Sequence, residues 1–183
     1  MACNVTRGRA INCKDIQAGI SAIYITDFGG YGTITESGGE ITNMAGTFTA
    51  FRYDVNGAGN SFTTTATSSK DTGTSFFSTT LSLTLPKLSK EDNAELKLLA
   101  YGRPHIVVAD RNGNAFLLGK INGCSLSTAT MVSGDARGDM AGYTLEFIAD
   151  EVSPPDFING ATVANPFAGL SSASETITGG TNS

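Results

Sequence analysis

The sequence predicts a mainly β fold, an antiparallel β-sandwich or half-barrel flanked by one α-helix. Its 183 residues include 22 glycines and no tryptophan, and threonine is abundant, a composition typical of strands and turns. Apolar and hydroxyl side chains alternate from Phe77 to Leu85, which is the period of a strand with one buried face. Clear helix start and stop signals occur only around residues 89–101.

The first part of the chain predicts strands joined by glycine-rich turns. Residues 15–25 are ambiguous, although Ile20–Ile25 suits a strand, and the glycines at 29–32 and 38–39 predict a loop or a short edge hairpin around Thr33–Thr35. Turn residues at 56–60 separate Thr47–Val55 from Asn60–Thr67 and predict a hairpin. With Phe77–Leu85, this gives three consecutive antiparallel strands before the helix.

The helix is predicted from its ends. Ser89 can act as the N-cap, Glu91 and Asp92 place acidic side chains in the first turn, and Gly102 before Pro104 stops the helix. Leu96 and Leu99 mark an apolar face that is able to cover one face or one mouth of a sheet.

After the helix, further strand pairs are predicted. His105–Asp110 and Ala115–Ile121 flank Arg111–Asn114, whose Asn-Gly step predicts a type I′ hairpin turn. Ser125–Val132 and Tyr143–Ala149 form another pair across the long polar loop 133–142.

The chain divides into two parts in this interpretation. Residues 1–155 form a single β-sandwich domain, and residues 156–183 form a C-terminal extension or arm. Pro154-Pro155 is expected to end regular structure, and the Ser/Thr/Gly-rich stretch 171–183 is expected to be flexible unless a neighbouring subunit holds it.

Charge and hydropathy exclude several function classes. A net charge of −5 with no basic cluster argues against a protein that binds nucleic acid. Only 16% of residues are charged. Because a neutral, hydroxyl-rich surface has a small free-energy cost of desolvation, this composition suits packing against other chains. There is no signal-peptide pattern and no apolar run of 18 residues, so we expect synthesis in the cytoplasm and no membrane association.

Residues that could carry chemistry are few. His105 is the single histidine and starts an apolar strand, and no Gly-x-Ser-x-Gly motif accompanies it. Cys3, Cys13 and Cys124 lack the spacing of a zinc site, and their odd number argues against a disulfide framework. We expect them to be buried or idle thiols, so that no catalytic residue is assigned.

Three polar segments resemble binding loops only in part. Residues 110–114 start like a calcium loop, but the twelfth position is Ile121 rather than glutamate. Residues 29–32 match no phosphate-binding motif and indicate flexibility or close packing between chains. Asp135 and Asp139 could share a metal ion, but Arg137 between them offers a simpler charge balance. We therefore expect no catalytic, cofactor or metal site, and no enzyme activity.

Three segments resemble a known family. They are the start, residues 1–9 with 13–15 and a strand ending at Ile25; the passage Leu96–Arg103 into His105–Asn114; and the loop and strand Gly134–Phe147. Together they cover about a third of the chain. They are similar to the corresponding parts of tailed-bacteriophage structural proteins of the tail-tube (major tail protein) type.

This resemblance implies a virion protein whose subunits join in a six-membered ring, with sheets that continue around a lumen. The rings would stack into a tube, meet other tail or neck proteins, and let genomic DNA pass without specific binding. The negative net charge suits that passage, because like charges repel. Loops 56–60 and 133–142 and the arm beyond Pro155 are expected to contact neighbouring subunits.

Two other interpretations remain open from the sequence. One keeps the virion but places the chain in a neck ring, a tail terminator or a capsid-associated position. The other is a monomeric β-sandwich module that binds carbohydrate at an exposed aromatic cleft.

Overall fold

The computed structural model describes residues 7–11, 14–55 and 57–179. Within these ranges, one helix and twelve strands form a mainly β protein, as predicted. They are, in chain order, β1 (Ile20–Thr26), β2 (Ile34–Ser37), β3 (Glu40–Met44), β4 (Thr47–Asp54), β5 (Ser61–Ser69), β6 (Thr74–Pro86), α1 (Lys90–Tyr101), β7 (His105–Asp110), β8 (Ala115–Leu118), β9 (Ser125–Val132), β10 (Gly142–Glu151), β11 (Asp156–Ile158) and β12 (Ser174–Gly179).

The strands form two sheets packed face to face. The larger has the order β12-β4-β1-β7-β8-β11-β3-β2, and the smaller has the order β5-β6-β10-β9. Side chains of β1 and β7 meet those of β6 and β10 in one core, which includes Ile23, Ile25, Ile106, Val108, Leu81, Leu83, Leu145 and Phe147. The predicted β-sandwich is confirmed.

The alternation in β6 decides which face of the smaller sheet is buried. Leu81 and Leu83 are fully buried, while Ser82 and Thr84 between and beyond them are partly exposed on the other face. In the neighbouring strand Leu145 lies opposite Leu83. Because side chains alternate with a period of two, every second residue of both strands points away from the core.

The predicted helix is confirmed at both ends. The Ser89 hydroxyl accepts a hydrogen bond from the Asp92 amide at 3.0 Å, and the Gly102 amide donates to the Leu98 carbonyl at 2.9 Å. Leu96 and Leu99 pack against the core between the sheets without being fully buried. Leu98 and Tyr101 face solvent, with 64% and 83% of their surface exposed, so the helix covers less of the sandwich than expected.

The hairpin of β7 and β8 is confirmed, but its turn is not type I′. That turn needs positive φ at both central residues, and Lys87 is the one non-glycine residue with positive φ in the described ranges. Instead, Gly113 has φ 84° and the Asp110 carboxylate accepts from the amides of Asn112 and Asn114, both at 2.8 Å. The aspartate side chain therefore organises the turn.

The hairpin predicted between Thr47–Val55 and Asn60–Thr67 is wrong. The first segment, β4, pairs with β1 in the larger sheet, whereas β5 pairs with β6 in the smaller sheet. The intervening segment crosses from one sheet to the other; Asn56 lies outside the described residues. Phe48 and Ala50 of β4 are buried on the outer side of the larger sheet. This packing, rather than the turn residues, makes β4 pair with β1.

A second core covers this outer side of the larger sheet. Its members include Tyr24, Val107, Leu117, Met44, Phe48, Ile158 and Phe167. Both faces of β1 and β7 are therefore buried. The short edge hairpin expected near Thr33–Thr35 is present as β2 and β3, with Gly38-Gly39 at its turn.

The C-terminal residues differ from the sequence-based expectation. Pro154-Pro155 does not end regular structure, because β11 begins at Asp156 and pairs with β8 and, in parallel, with β3. Ser174–Gly179, expected to be flexible, forms β12 parallel to β4. The larger sheet is thus mixed rather than purely antiparallel. The domain boundary at residue 155 remains a prediction, and residues 180–183 lie outside the described ranges.

We expect Leu83→Ala to lower the free energy of unfolding by about 2–5 kcal/mol, because it leaves a cavity between the sheets. Ser82→Ala, on the opposite face of the same strand, is the matched control and should change it by no more than about 0.5 kcal/mol. Urea denaturation at equal protein concentration measures both. Equal losses would contradict the assignment of faces.

Candidate assembly interface

The outward face of the four-stranded sheet is lined by hydroxyl groups. Strand register aligns Thr63 with Thr80, Thr80 with Ile148, and Thr84 with Thr144. The face includes Ser61, Thr63, Thr65, Thr67, Phe76, Ser78, Thr80, Ser82, Thr84, Ser125, Thr128, Thr130, Val132, Thr144, Glu146, Ile148 and Asp150. We call these residues the hydroxyl face.

The hydroxyl face carries negative charge and no positive charge. Glu146 and Asp150 are its ionisable side chains, and Ser127, at a bulge in β9, donates to Glu146 Oε1 at 2.9 Å. None of the residues named on this face is lysine or arginine. A polyanion that touched it would therefore release no counterions from neutralised phosphates.

Two long strands of this sheet lie at its edges and are unpaired on one side, although α1 lies against part of β9. β5 has nine residues and β9 has eight, and neither contains a charged residue or proline. Each pairs on one side only, β5 with β6 and β9 with β10. Unpaired backbone groups on a long, neutral edge strand are a template for pairing with another chain. The sequence predicted both strands but could not show that they are edges.

The edges of the larger sheet are different. β2 has four residues, and its Glu36 pairs with Lys120 at 2.7 Å. Lys120 also pairs with Asp156 at the start of β11. β12 carries Glu175, which accepts from Asn165 Nδ2 at 3.0 Å. Short length and charge are the usual protection of edge strands.

Burial lowers the pKa of Lys120, but hydrogen bonds and charges from Asp156 and Glu36 outweigh it and raise the pKa above its ordinary value. The ammonium group therefore stays charged where β2 and β11 approach each other. It fixes this end of the larger sheet.

His105 has a structural environment. It is buried, its Nε2 accepts from the Gly29 amide at 3.0 Å, and its Nδ1 lies 2.6 Å from the Gly119 carbonyl, to which it donates. The ring stacks on Phe28, with centroids 5.0 Å apart. Both ring nitrogens are thus engaged by backbone groups of two loops.

The glycines at 29–32 allow close packing inside the chain. Gly32 has φ 62°, and Tyr31 between them is buried in the second core. A Cβ at Gly46 would lie 2.2 Å from the Gly30 carbonyl oxygen, so this loop and the β3–β4 connection touch backbone to backbone. This close packing is within one chain.

The loop 133–142 is organised by Asp139 rather than by Arg137. Asp139 Oδ2 accepts from the amides of Asp135 and Ala136 at 3.0 and 2.7 Å. These hydrogen bonds lower the pKa of Asp139 below its ordinary value. The ion pairs found in the described ranges do not include Arg137, so the predicted charge balance is not seen.

The cysteine and metal predictions can be followed in part. Cys124 is buried, as expected, and burial raises the pKa of its thiol to about 12. Cys3 and Cys13 lie outside the described residues. Across residues 7–11, 14–55 and 57–179, no group of three or more His, Cys, Asp or Glu side chains is arranged to hold a metal ion. The expected absence of catalytic, cofactor and metal sites stays a prediction.

None of the helical structure in the described part of the chain is long and apolar enough to cross a membrane.

Comparisons with known proteins give one structural match. No protein-family model and no curated protein matches the chain. Among solved structures, a chain from the virion of a native gene transfer agent particle superposes with a TM-score of 0.38 and 10% sequence identity, covering 58% of this chain and 88% of that chain. A likeness with a TM-score this low carries no argument about function.

We expect folding stability to fall on mild acidification because of His105. Burial lowers the pKa of His105 below its ordinary 6.5, outweighing the Gly119 carbonyl and Glu151, which raise it. The unfolded chain therefore binds a proton more readily. The contribution is fully present above pH 6.5 and is lost as the pH falls through the lower pKa of the folded state.

This pH dependence can be assigned to one residue, because the chain has a single histidine. Its proton resonance should titrate below 6.5, and the stability difference between wild type and His105→Gln should shrink as the pH falls through that midpoint. A histidine that titrates above 6.5 would contradict the expectation.

Proposed function

We propose that this chain is a non-enzymatic structural protein of a tailed-phage virion, made in the host cytoplasm, that assembles with copies of itself into rings. The rings stack as a tail tube through which genomic DNA passes. Other tail or neck proteins lie at the ends of the stack. The observation that carries self-assembly is the pair of neutral, unpaired edges, β5 and β9, on opposite sides of one sheet. The virion and the six-membered ring rest on the family resemblance.

The two edges favour pairing of unlike strands. When β5 of one copy adds to β9 of the next, the small sheet continues from subunit to subunit, and each added copy offers a fresh edge. Such a head-to-tail interface closes into a ring or grows into a filament. Their similar lengths, nine and eight residues, allow most backbone groups of both edges to pair.

The inward-facing side chains of β5 and β9 are also uncharged. Ala66 of β5 and Ala129 of β9 lie on the side of the sheet that faces the core, yet both are exposed. They become covered only when another strand is added. Natural edge strands often place a lysine at such a position to prevent pairing, and this chain does not.

The hydroxyl face supports passage of DNA. If the small sheets continue around a ring with this face inside, the lumen is lined with serine and threonine, with Glu146 and Asp150 as its charges. DNA would meet repulsion rather than a site of attachment. The loop 133–142, which follows β9, is a further proposed contact between subunits or between stacked rings.

Edge pairing is tested by placing an inward lysine on each edge in turn. We expect Ala66→Lys and Ala129→Lys each to abolish rings in electron micrographs and to leave monomers by light scattering. Pairing would bury an uncompensated charge, at a cost of about 3–5 kcal/mol. Thr144→Lys, on the central strand β10, adds the same charge without touching an edge and should leave rings intact.

Mixing the two blocked proteins decides the geometry. Ala66→Lys keeps a free β9 and Ala129→Lys keeps a free β5, so a one-to-one mixture should yield a dimer although neither protein dimerises alone. A dimer of one variant by itself would show pairing of like edges. Wild-type protein that remains monomeric at high concentration would refute the proposal.

The charge of the hydroxyl face has its own test. The triple change Thr63→Lys, Thr80→Lys and Thr144→Lys should create DNA binding. The logarithm of the binding constant should fall with the logarithm of the salt concentration, with a slope of about 0.9 for each phosphate contacted. Wild type and the corresponding triple glutamine variant should show none by fluorescence anisotropy of labelled duplex. Strong binding by the wild-type protein would contradict a non-binding lumen.

A further inference from the structure

The sequence contains four asparagines that are followed directly by glycine, at residues 56–57, 112–113, 122–123 and 159–160. Asparagine is among the thermolabile residue types, because its side-chain amide reacts with the main-chain nitrogen of the next residue. A glycine in that next position favours the reaction, since it has no Cβ to hinder the approach. These four Asn-Gly steps are therefore candidate sites of spontaneous deamidation.

The reaction consumes only water. The glycine nitrogen loses its proton and forms a bond to Cγ of the asparagine, the Cγ–Nδ2 bond breaks, and the side-chain nitrogen leaves as ammonia. Water then opens the resulting cyclic imide at one of its two carbonyl carbons, which gives aspartate or isoaspartate. The fold influences the rate, because the asparagine side chain and the glycine nitrogen must both leave their native contacts.

The Asn122-Gly123 step is restrained at both reacting groups. Asn122 Nδ2 donates to the Asp150 carbonyl at 2.7 Å, and the Gly123 amide donates to the Gly119 carbonyl at 3.1 Å. Gly123 is also buried. Attack at this step would require both hydrogen bonds to open in a solvent-protected position, so we expect it to be slow.

The Asn112-Gly113 step is restrained through the asparagine side chain. Asn112 Oδ1 accepts from the Gln17 amide and Asn112 Nδ2 donates to the Gln17 carbonyl, both at 2.8 Å. Asn112 Nδ2 also donates to Asp110 Oδ2 at 3.3 Å. Three hydrogen bonds hold this side chain, so rotation of its amide towards the Gly113 nitrogen requires all of them to break.

The Asn159-Gly160 step is the least restrained of the three. Both residues are exposed, and Asn159 Nδ2 donates to Oε2 of the exposed Glu40 at 2.9 Å. Within residues 7–11, 14–55 and 57–179, this is the one hydrogen bond of the Asn159 side chain, and the Gly160 amide donates none. A single hydrogen bond between exposed side chains opens readily, because water replaces it.

The main chain around Asn159 has no room for a longer backbone. A Cβ at Gly169 would lie 2.2 Å from the Asn159 carbonyl oxygen, and a Cβ at Gly160 would lie 2.8 Å from Gly169 Cα. Isoaspartate carries the main chain through its side-chain carbon and so adds a methylene group to it. Aspartate, the other product, places a second carboxylate opposite Glu40, and like charges repel.

The segment that contains Gly169 connects the second core to β12. Phe167 is buried in that core, and its amide donates to Asn165 Oδ1 at 2.8 Å. Asn165 Nδ2 in turn donates to Glu175 of β12 at 3.0 Å. Displacement of Gly169 would therefore weaken the packing that precedes the last strand of the larger sheet.

We propose that Asn159 is the fastest site of deamidation among the three described Asn-Gly steps. Glu40 limits the rate by holding the Asn159 amide, and both products loosen residues 160–179. The reaction adds one negative charge to the chain, which takes the net charge from −5 to −6. The inference does not depend on self-assembly, because it uses neither β5 nor β9.

Peptide mapping of the full-length protein tests the order of reactivity. The protein is incubated in mildly alkaline buffer, where the glycine nitrogen loses its proton more readily. Trypsin then separates the four steps into peptides 53–70, 112–120, 121–137 and 138–183, and fragmentation spectra locate the converted residue. We expect Asn159 to react several-fold faster than Asn112 and Asn122.

The same incubation in urea is the control for the role of the fold. Unfolding removes the hydrogen bonds that distinguish the three steps, so the rates at Asn112, Asn122 and Asn159 should converge. The proposal would be overturned by folded protein in which Asn159 reacts no faster than Asn122, or by an order of rates that persists in urea.

Two substitutions of Glu40 test the restraint. Glu40→Ala removes the acceptor of the Asn159 amide and should raise the rate at Asn159 several-fold. Glu40→Gln keeps an acceptor oxygen and should leave the rate near that of the wild type. The rates at Asn112 and Asn122 in the same samples report any general loss of structure and should not change. An unchanged rate at Asn159 in Glu40→Ala would remove Glu40 from the proposal.

Hydrogen exchange tests the structural consequence. Asn159→Asp reproduces one product, whereas Asn159→Gln keeps an amide that reacts more slowly because its ring would need one more carbon. We expect amides within residues 160–179 to exchange several-fold faster in Asn159→Asp and in aged wild-type protein than in fresh wild type or Asn159→Gln. Equal exchange in all four samples would show that deamidation leaves the segment in place and would overturn the loosening.

Discussion

The alternation of leucine and hydroxyl side chains along β6 is the constraint on which the rest of the structure depends. Leu81 and Leu83 enter the core and meet Phe147 and Leu145 of β10, so the intervening residues must point outward. A shift by one residue would bury hydroxyls and expose leucines, which makes the register unambiguous. The same alternation creates an outward surface with almost no charge.

Because each feature has a local signal, much of the fold could be predicted from the sequence. Ser89 and Gly102 mark the helix ends, period-two alternation marks β6, and Asn112-Gly113 marks the hairpin of β7 and β8. The pairing of β9 with β10 followed in the same way. In each of these features, the residues that determine the structure are neighbours in sequence. Tertiary packing is consistent with these local preferences and does not override them.

The rest depends on partners that are distant in sequence. Nothing near Asn60 distinguishes a hairpin from a crossing between sheets; Phe48 selects the larger sheet through contacts with Tyr31 and Phe167. Ser174–Gly179 has the composition of a flexible tail and becomes a strand because β4 offers an edge. The candidate interface was likewise hidden, since the neutrality of β5 and β9 is visible in the sequence but their position at the sheet edges is not.

The parallel pairing of β12 with β4 joins segments that are far apart in the sequence. During translation, β4 emerges early and its outer backbone groups stay available until residues 174–179 have left the ribosome. Pairing of segments so far apart is intrinsically slow. Completion of the larger sheet is therefore timed by residues 174–179, and a product that lacks them would expose β4 as an additional unpaired edge strand.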